Sequence, residues 1–251
     1  MRVIPVIDLM NGLVVRGVAG RRAEYRPVES RIAEDATPGK VARAFAERFG
    51  FDTAYVADLD AIQFGRPNVA AWQEIGRAGL KLWLDAGIGT SDIARQVLSR
   101  LAELQINAQL VVGLESLEST DELGGIIESC SRQPPIVSLD MLAGRTLVRN
   151  PAWQGLTPLE LALAQVAWGR QELIVLDLAD VGTNSGTRTL ELCRQIRRAG
   201  PPIHLIAGGG VRGMADLRAL ADAGCQTALV ASALHDGRLT PADIAAESQR
   251  L

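Results

Sequence analysis

Eight short apolar runs recur along the chain, and a stretch with helical spacing follows each of them. The runs fall at residues 3–7, 53–60, 80–88, 108–113, 136–140, 172–177, 205–208 and 228–234. Strands that alternate with helices of ten to fifteen residues make parallel βαβ units, because a parallel return needs a crossover long enough to hold a helix. Eight such units build either a closed (β/α)8 barrel or a doubly wound sheet. The expected helices cover roughly 38–49, 69–79, 91–104, 119–130, 157–167, 187–199, 214–220 and 241–249. Thr37-Pro38 supplies an N-cap and first-turn proline for the first of them, and Val41, Ala44, Phe45 and Phe49 give its apolar stripe. Two loops, 13–18 and 146–153, have the look of hairpins.

A weak internal repeat favours the barrel. Ile7-Asp8-Leu9 is echoed by Leu139-Asp140-Met141, and Ala57-Asp58-Leu59 by Leu176-Asp177-Leu178. Ala86-Gly87-Ile88 is echoed by Gly209-Gly210-Val211, and Val111-Val112-Gly113 by Leu229-Val230-Ala231. The offsets lie between 118 and 132 residues, about half the chain of 251. We therefore expect an α/β fold, a single (β/α)8 TIM barrel over 1–251, with half-barrels of about 1–132 and 133–251. That length is typical for one such barrel.

Composition excludes several classes of function. A net charge of −3, with both signs mixed along the chain, gives no electrostatic footprint for nucleic acid or an anionic membrane. No apolar run approaches a membrane span, and the N-terminus reads as a strand rather than a leader. Cys130, Cys193 and Cys225 are odd in number and widely spaced, which fits a reducing cytoplasm better than a disulfide scaffold. His204 and His235 are the only histidines, so neither a His-based metal centre nor a Ser-His-Asp triad is expected. No metal and no cofactor is called for.

Barrel chemistry sits at the C-terminal ends of the strands. There the chain places Asp8, Asp58, Asp85, Asp140, Asp177 and, just beyond, Asp180. A ring of carboxylates is costly unless it is used, since like charges raise one another's pKa. Asp8 and Asp140 occupy matching places in the two halves and suit proton shuttling across the mouth. Asp58, Asp85 and Asp177 precede turns and are expected to cap helices or pair with loop arginines. Gly208-Gly209-Gly210 closes the seventh run before a helix, and Ala231-Ser232 closes the eighth. Glycines there let backbone amides approach an anion, so the pair reads as a phosphate cradle; a tight strand-to-helix turn accounts for the glycines as well. Arg16 could clamp an anion, and Trp153 could stack on a flat ring or pack on the rim.

Several stretches together resemble the HisA/HisF superfamily of histidine-pathway barrels. They are Val3-Ile4-Pro5-Val6-Ile7-Asp8-Leu9 with Arg16, then Val137-Ser138-Leu139-Asp140, Ala207-Gly208-Gly209-Gly210-Val211-Arg212, and Val230-Ala231-Ser232-Ala233-Leu234. The resemblance implies a half-barrel duplication and an Amadori rearrangement of an aminoaldose phosphate to an aminoketose, with Asp8 as base. It also implies phosphate contacts at Gly209, Gly210, Ala231, Ser232 and Gly186 in one half and at Gly87 and Gly113 in the other. Arg16, Trp153, Asp85 and Asp177 become substrate contacts, and Asp140 a catalytic carboxyl.

Two departures stand out. Val181 occupies the position where the family's second catalytic aspartate is expected, which leaves Asp180 as the carboxyl of that turn. Asp85-Ala86-Gly87-Ile88-Gly89 replaces a glycine-rich phosphate turn in the first half. Such a chain resembles a divergent branch of the superfamily. An isomerase of the HisA type, a paralogous enzyme on another phosphorylated substrate, and a non-catalytic phosphate binder all stay open. The expected partner is a small phosphorylated molecule, on a monomer or homodimer; no feature marks a docking face for a glutaminase.

Overall fold

The computed structural model describes residues 1–130, 133–167, 171–183, 186–200 and 203–248. β1 (Arg2–Met10) runs into an antiparallel hairpin with β2 (Leu13–Arg16), to which β3 (Arg26–Pro27) adds a short edge. Then follow α1 (Pro38–Phe49), β4 (Thr53–Asp58), α2 (Leu59–Phe64), α3 (Val69–Arg77), β5 (Lys81–Asp85), α4 (Ser91–Glu103), β6 (Ala108–Gly113) and α5 (Thr120–Ser129). The second half has β7 (Ile136–Leu142), β8 (Arg145–Thr146), α6 (Pro158–Ala167), β9 (Glu172–Asp177), α7 (Leu190–Ala199) and β10 (His204–Gly208). It closes with α8 (Met214–Asp222), β11 (Thr227–Val230), α9 (Ser232–His235) and α10 (Pro241–Ser248). Residues 132 and 249, where the half-chain boundary and the end of the last helix were expected, lie outside the described residues.

Eight parallel strands form a closed ring in the order β1-β4-β5-β6-β7-β9-β10-β11, and β11 pairs back onto β1 with Arg2 opposite Thr227. The fold is a (β/α)8 TIM barrel. Closure leaves the eight ring strands without a free edge, so each can be apolar on both faces. Alternate residues then separate two packing layers. Ile4, Tyr55, Trp83, Val111, Ile174, Ile206 and Leu229 pack together, and we assign them to the lumen. Val3, Ile7, Leu82, Leu84, Val112, Leu139 and Leu173 belong to the second, larger cluster, which they form with the helices.

This parity sorts the strand-end carboxylates. Asp8, Asp85 and Asp140 share the parity of the lumen residues on their strands. Asp58 and Asp177 share that of the helix-facing residues. Asp58 is the N-cap of α2 and accepts hydrogen bonds from Ala61 N, Asn68 N, Asn68 Nδ2 and the Trp72 indole at 2.7–3.1 Å. A buried carboxylate with four donors is a structural one.

Local differences from the expected elements are few. α2 is an extra helical turn between Asp58 and Gly65, a left-handed C-cap. α7 begins at Leu190 rather than near 187, because the preceding residues wrap around Asp180. The second hairpin turns at Ala143-Gly144, and residues 151–153 form a 3-10 turn capped by Asn150. Among the described residues no helix is long and apolar enough to cross a membrane.

Candidate functional site

The C-terminal mouth of the barrel holds a cavity. Asp8, Asp85 and Asp140 line it, joined by Tyr55, Tyr25, Arg22 and Glu115 on one side. Gly209, Gly210, Ala231, Ser232 and Arg238 line the other side, and Val181 and Gly182 lie at the wall. In the ring of strands, Asp85 and Asp140 end the third and fifth, and the glycine pair and Ser232 follow the seventh and eighth. The two groups therefore stand on opposite sides of the mouth.

Asp8 lies on the inward-facing row Ile4, Val6, Asp8, Met10 of β1. Burial pushes its pKa up to about 7, against the pull of the Arg22 guanidinium. No described residue donates a hydrogen bond to it, and its open surface faces the cavity. Asp85 is 5 % exposed and is also pushed up to about 7 by burial. Its Oδ1 accepts the Gly87 amide at 3.1 Å, and its Oδ2 lies 3.4 Å from the Tyr55 hydroxyl. Asp140, likewise 5 % exposed, is raised well above the usual carboxylate range by burial and then by its neighbours Glu115 and Asp85. Ser138 donates to Asp140 Oδ1 at 2.9 Å, and Oδ2 takes no donor among the described residues. Near neutral pH such a set holds carboxylic acid and carboxylate side by side, the condition for moving protons in both directions.

Gly113 makes room for this pair. A Cβ on it would lie 3.3 Å from Asp140 Oδ2 and 3.7 Å from Asp85 Oδ2. Expected as a phosphate contact, Gly113 instead yields space to two carboxyls. Gly87, expected in the same role, packs against the backbone of Ile62 and donates its amide to Asp85.

Gly209 and Gly210 take left-handed φ values of 81° and 75°, which side chains rarely adopt. They open the turn toward α8, while Ser232 opens α9. First-turn amides have no acceptor inside their own helix, so this pole presents donors. Gly186 is not in the wall; its carbonyl lies where a Cβ of Gly210 would be, so the two glycines are packed on each other.

Four expected site residues sit elsewhere. Asp180 is fully buried and turned into its own loop, accepting the Arg188 amide at 2.6 Å and pairing with Arg188 Nε at 2.9 Å. Val181, one residue later, is the one that reaches the cavity: Val181 Cγ1 and Asp8 Oδ2 would lie 2.7 and 3.4 Å from a Cβ on Gly17. A one-residue step in this turn exchanges an outward carboxyl for an inward isopropyl group. Asp177 caps two turns, accepting from Ala143 N, Gly144 N and Ala179 N. Trp153 is buried in the outer core at 4 % exposure, not stacked in the mouth. Arg16 is paired with Asp236 and borders a small side cavity behind Asp8.

Two other arginines line the mouth, Arg238 beside the glycine pair and Arg22, 3.5 Å from Glu115. Sequence reasoning left Arg22, Tyr55 and Glu115 unassigned. Tyr55 was accessible to it through strand parity, two residues before Ala57. Arg22 and Glu115 lie on loops without periodicity. His235 is buried against Phe45 and bonded to Ser30, and His204 is bonded to Thr227; both are structural. Among the described residues no cluster of His, Cys, Asp or Glu is arranged to hold a metal ion.

Comparison with known proteins gives a consistent picture. A family profile described as "Histidine biosynthesis protein" matches residues 2–240. An uncharacterized protein of Methanocaldococcus jannaschii is 30 % identical over 95 % of this chain and 95 % of its own. Proteins of Natronomonas pharaonis and Rubrobacter xylanophilus, 31 % and 34 % identical, cover 97 % and 95 % of this chain and 97 % and 93 % of their own length. Both are named as isomerases of an imidazole-4-carboxamide carrying two phosphoribosyl groups.

Proposed function

The chain belongs to the histidine biosynthesis protein family of barrels, and on that premise we propose that it is an intramolecular isomerase acting on a phosphorylated aminoaldose. The observation that carries this reading is Asp8, with no hydrogen-bond donor among the described residues, a pKa raised to about 7, and its open face toward the cavity that Asp140 shares. A base whose pKa lies near the working pH moves protons most effectively.

The chemistry follows from those two carboxyls. Asp140, protonated, gives its proton to the ring oxygen of the sugar as the C1–O bond breaks and the nitrogen lone pair forms C=N. Asp8, ionised, removes the C2 proton, and the electron pair forms an enaminol. The C2 hydroxyl proton returns to Asp140, and Asp8 delivers its proton to C1. The product is an aminoketose, and both carboxyls regain their starting states. The turn at Gly209-Gly210 and the start of α9 at Ser232 bind the phosphate. Amides aimed at an anion from a fixed turn need no reorganisation.

Relatives bearing the isomerase name make the histidine intermediate the first substrate to try. Val181 in the cavity wall favours a related substrate instead, since a valine cannot serve as the acid that the resemblance places there. Three free, buried cysteines support a reducing cytoplasmic setting. The test is proton NMR of a phosphorylated N-substituted aminoaldose with the purified protein in D2O. Conversion to the ketose with deuterium entering at the former C2 or C1 positions is expected, and no exchange in Asp8→Asn. Growth of a histidine auxotroph lacking the isomerase separates the two substrates. No exchange with any aminoaldose phosphate would overturn the isomerase reading.

A further inference from the structure

Between its polar sides the mouth is lined with carbon. β4 and β9 stand second and sixth in the ring of eight strands, so their ends face each other across the opening. The end of β4 and α2 contribute Ala57, Leu59 and Ile62 to the cavity wall, and the end of β9 and its loop contribute Leu176, Leu178 and Val181. Among the described residues neither flank brings a polar side chain to the wall above Tyr55. Leu59 and Leu178 hold matching places in the two halves, so the repeat itself puts a leucine on each flank. Ile62, Leu176, Leu178 and Val181 are only half-buried. Half-exposed aliphatic side chains gathered in a concave wall receive the apolar part of a ligand. The β9 flank is also backed by chain. Ala19 N donates to the Val181 carbonyl at 2.7 Å, and a Cβ on Gly17 or Gly20 would lie 2.7 Å from Val181 Cγ1 or 3.4 Å from Leu178 Cβ. These side chains have little room to retreat from the cavity.

Height in the barrel decides which part of the substrate meets them. Asp8 pairs with Ala57 and Asp140 with Leu176, so these four lie on one level. Leu59, Ile62, Leu178 and Val181 follow beyond the strand ends, one layer outward of the reacting carboxyls. Below that level the lumen is filled by Ile4, Tyr55, Trp83 and Val111. With the sugar between Asp8 and Asp140 and its phosphate at Gly209-Gly210, the substituent on its nitrogen extends outward, between the two flanks.

We propose that this substituent is a flat apolar ring, so that the substrate is an N-aryl aminoaldose phosphate. The proposal rests on the isomerase reading of the preceding section and adds the class of the group on nitrogen. A second sugar between the flanks turns its hydroxyls toward carbon and leaves them without partners. The chain therefore disfavours the substrates with two phosphoribosyl groups for which its relatives are named. An aryl ring instead meets aliphatic carbon on both faces and loses only apolar surface to it.

Calorimetric titration of the wild-type protein with three unreactive amides of 1-amino-1-deoxyribitol 5-phosphate tests this: N-acetyl, N-benzoyl and N-gluconoyl. All three are uncharged at nitrogen, so the acidic side of the mouth does not bias the comparison. The benzoyl amide should bind at least about tenfold more tightly than the acetyl amide, the scale of burying an apolar ring. The gluconoyl amide, with its row of hydroxyls, should bind no more tightly than the acetyl amide. Leu178→Asn combined with Val181→Thr keeps the shape of the wall and makes it polar. It should erase most of the benzoyl advantage and leave the affinity for the acetyl amide unchanged; a thermal melt checks that the variant is folded, and the wild-type series decides the matter if it is not. Tightest binding by the gluconoyl amide, or equal binding of the benzoyl and acetyl amides, would overturn the proposal while leaving the isomerase reading standing. Failure of all three to bind would remove the sugar phosphate site on which both rest. A benzoyl preference without deuterium exchange in any N-aryl aminoaldose phosphate would support the ring subsite and sink only the isomerase reading.

Discussion

Asp140 Oδ2 lies 3.3 Å from the position a Cβ on Gly113 would take. Gly113 ends the strand between those that carry Asp85 and Asp140, and its missing side chain is the space in which their carboxyls meet. Its φ is not left-handed, so the backbone itself accepts alanine. Gly113→Ala should therefore fold normally and crowd Asp140 out of place. We expect kcat/KM to fall by roughly 10–100-fold, as misplacement of a reacting group by a fraction of an ångström does, with a Tm within a few degrees of wild type. Steady-state kinetics beside a thermal melt checks both parts.

Gly210→Ala is expected to behave in the opposite way. The new Cβ would overlap the Gly186 carbonyl, and the φ of 75° is already strained for alanine. Overpacking plus a left-handed non-glycine residue should cost about 2–4 kcal/mol. Urea denaturation followed by circular dichroism measures this directly. An unchanged midpoint would mean that the turn is looser than its packing against Gly186 implies.

The acid limb of the activity profile should report Asp8. Its pKa of about 7 means that kcat/KM rises with pH until about 7 and levels above it, as the free base is populated. Asp140 is also raised above its usual range, by burial and by its neighbours Glu115 and Asp85. Asp8→Asn should lower kcat by roughly 10²–10⁴-fold, the usual contribution of a positioned base. A pH series of initial rates on wild type and variant tests the assignment, and a plateau extending to pH 5 would contradict it.

Asp85 links the site to stability. Its pKa rises from 3.8 to about 7 on folding, so between those values the folded state keeps a proton that the unfolded chain has lost. The stabilisation from that proton is complete below about pH 4 and is gone once the pH passes about 7. Asp85→Asn removes the titration. The variant should be more stable than wild type by roughly 1–3 kcal/mol at pH 8 and nearly equal to it at pH 4. Chemical denaturation at the two pH values gives the comparison.

The barrel was legible in the sequence, because eight strand-helix alternations leave few ways to bury so much two-sided apolar surface. Asp8 as an inward carboxyl was legible too. It follows from the period-two alternation of Ile4, Val6 and Asp8 on a closed sheet. The same rule would have separated Asp140 from Asp177, whose neighbours Leu173 and Val175 face the helices. The glycine pair Gly209-Gly210 was recognisable because a left-handed turn at a strand end admits almost nothing else.

What the tertiary structure alone decided lies in the loops, where no period constrains side-chain direction. It placed Arg22 rather than Arg16 in the mouth, since Arg16 is held by Asp236, 220 residues away in the chain. It buried Trp153 and turned Asp180 toward Arg188, because those contacts depend on where α6 and α7 begin. It also engaged the Gly87 amide with Asp85 and the Leu114 amide with the Ser138 carbonyl, at the ends of β5 and β6. A local spacing sets which face of a strand a residue occupies; only ring closure, which brings distant loops over one mouth, sets what that residue meets there.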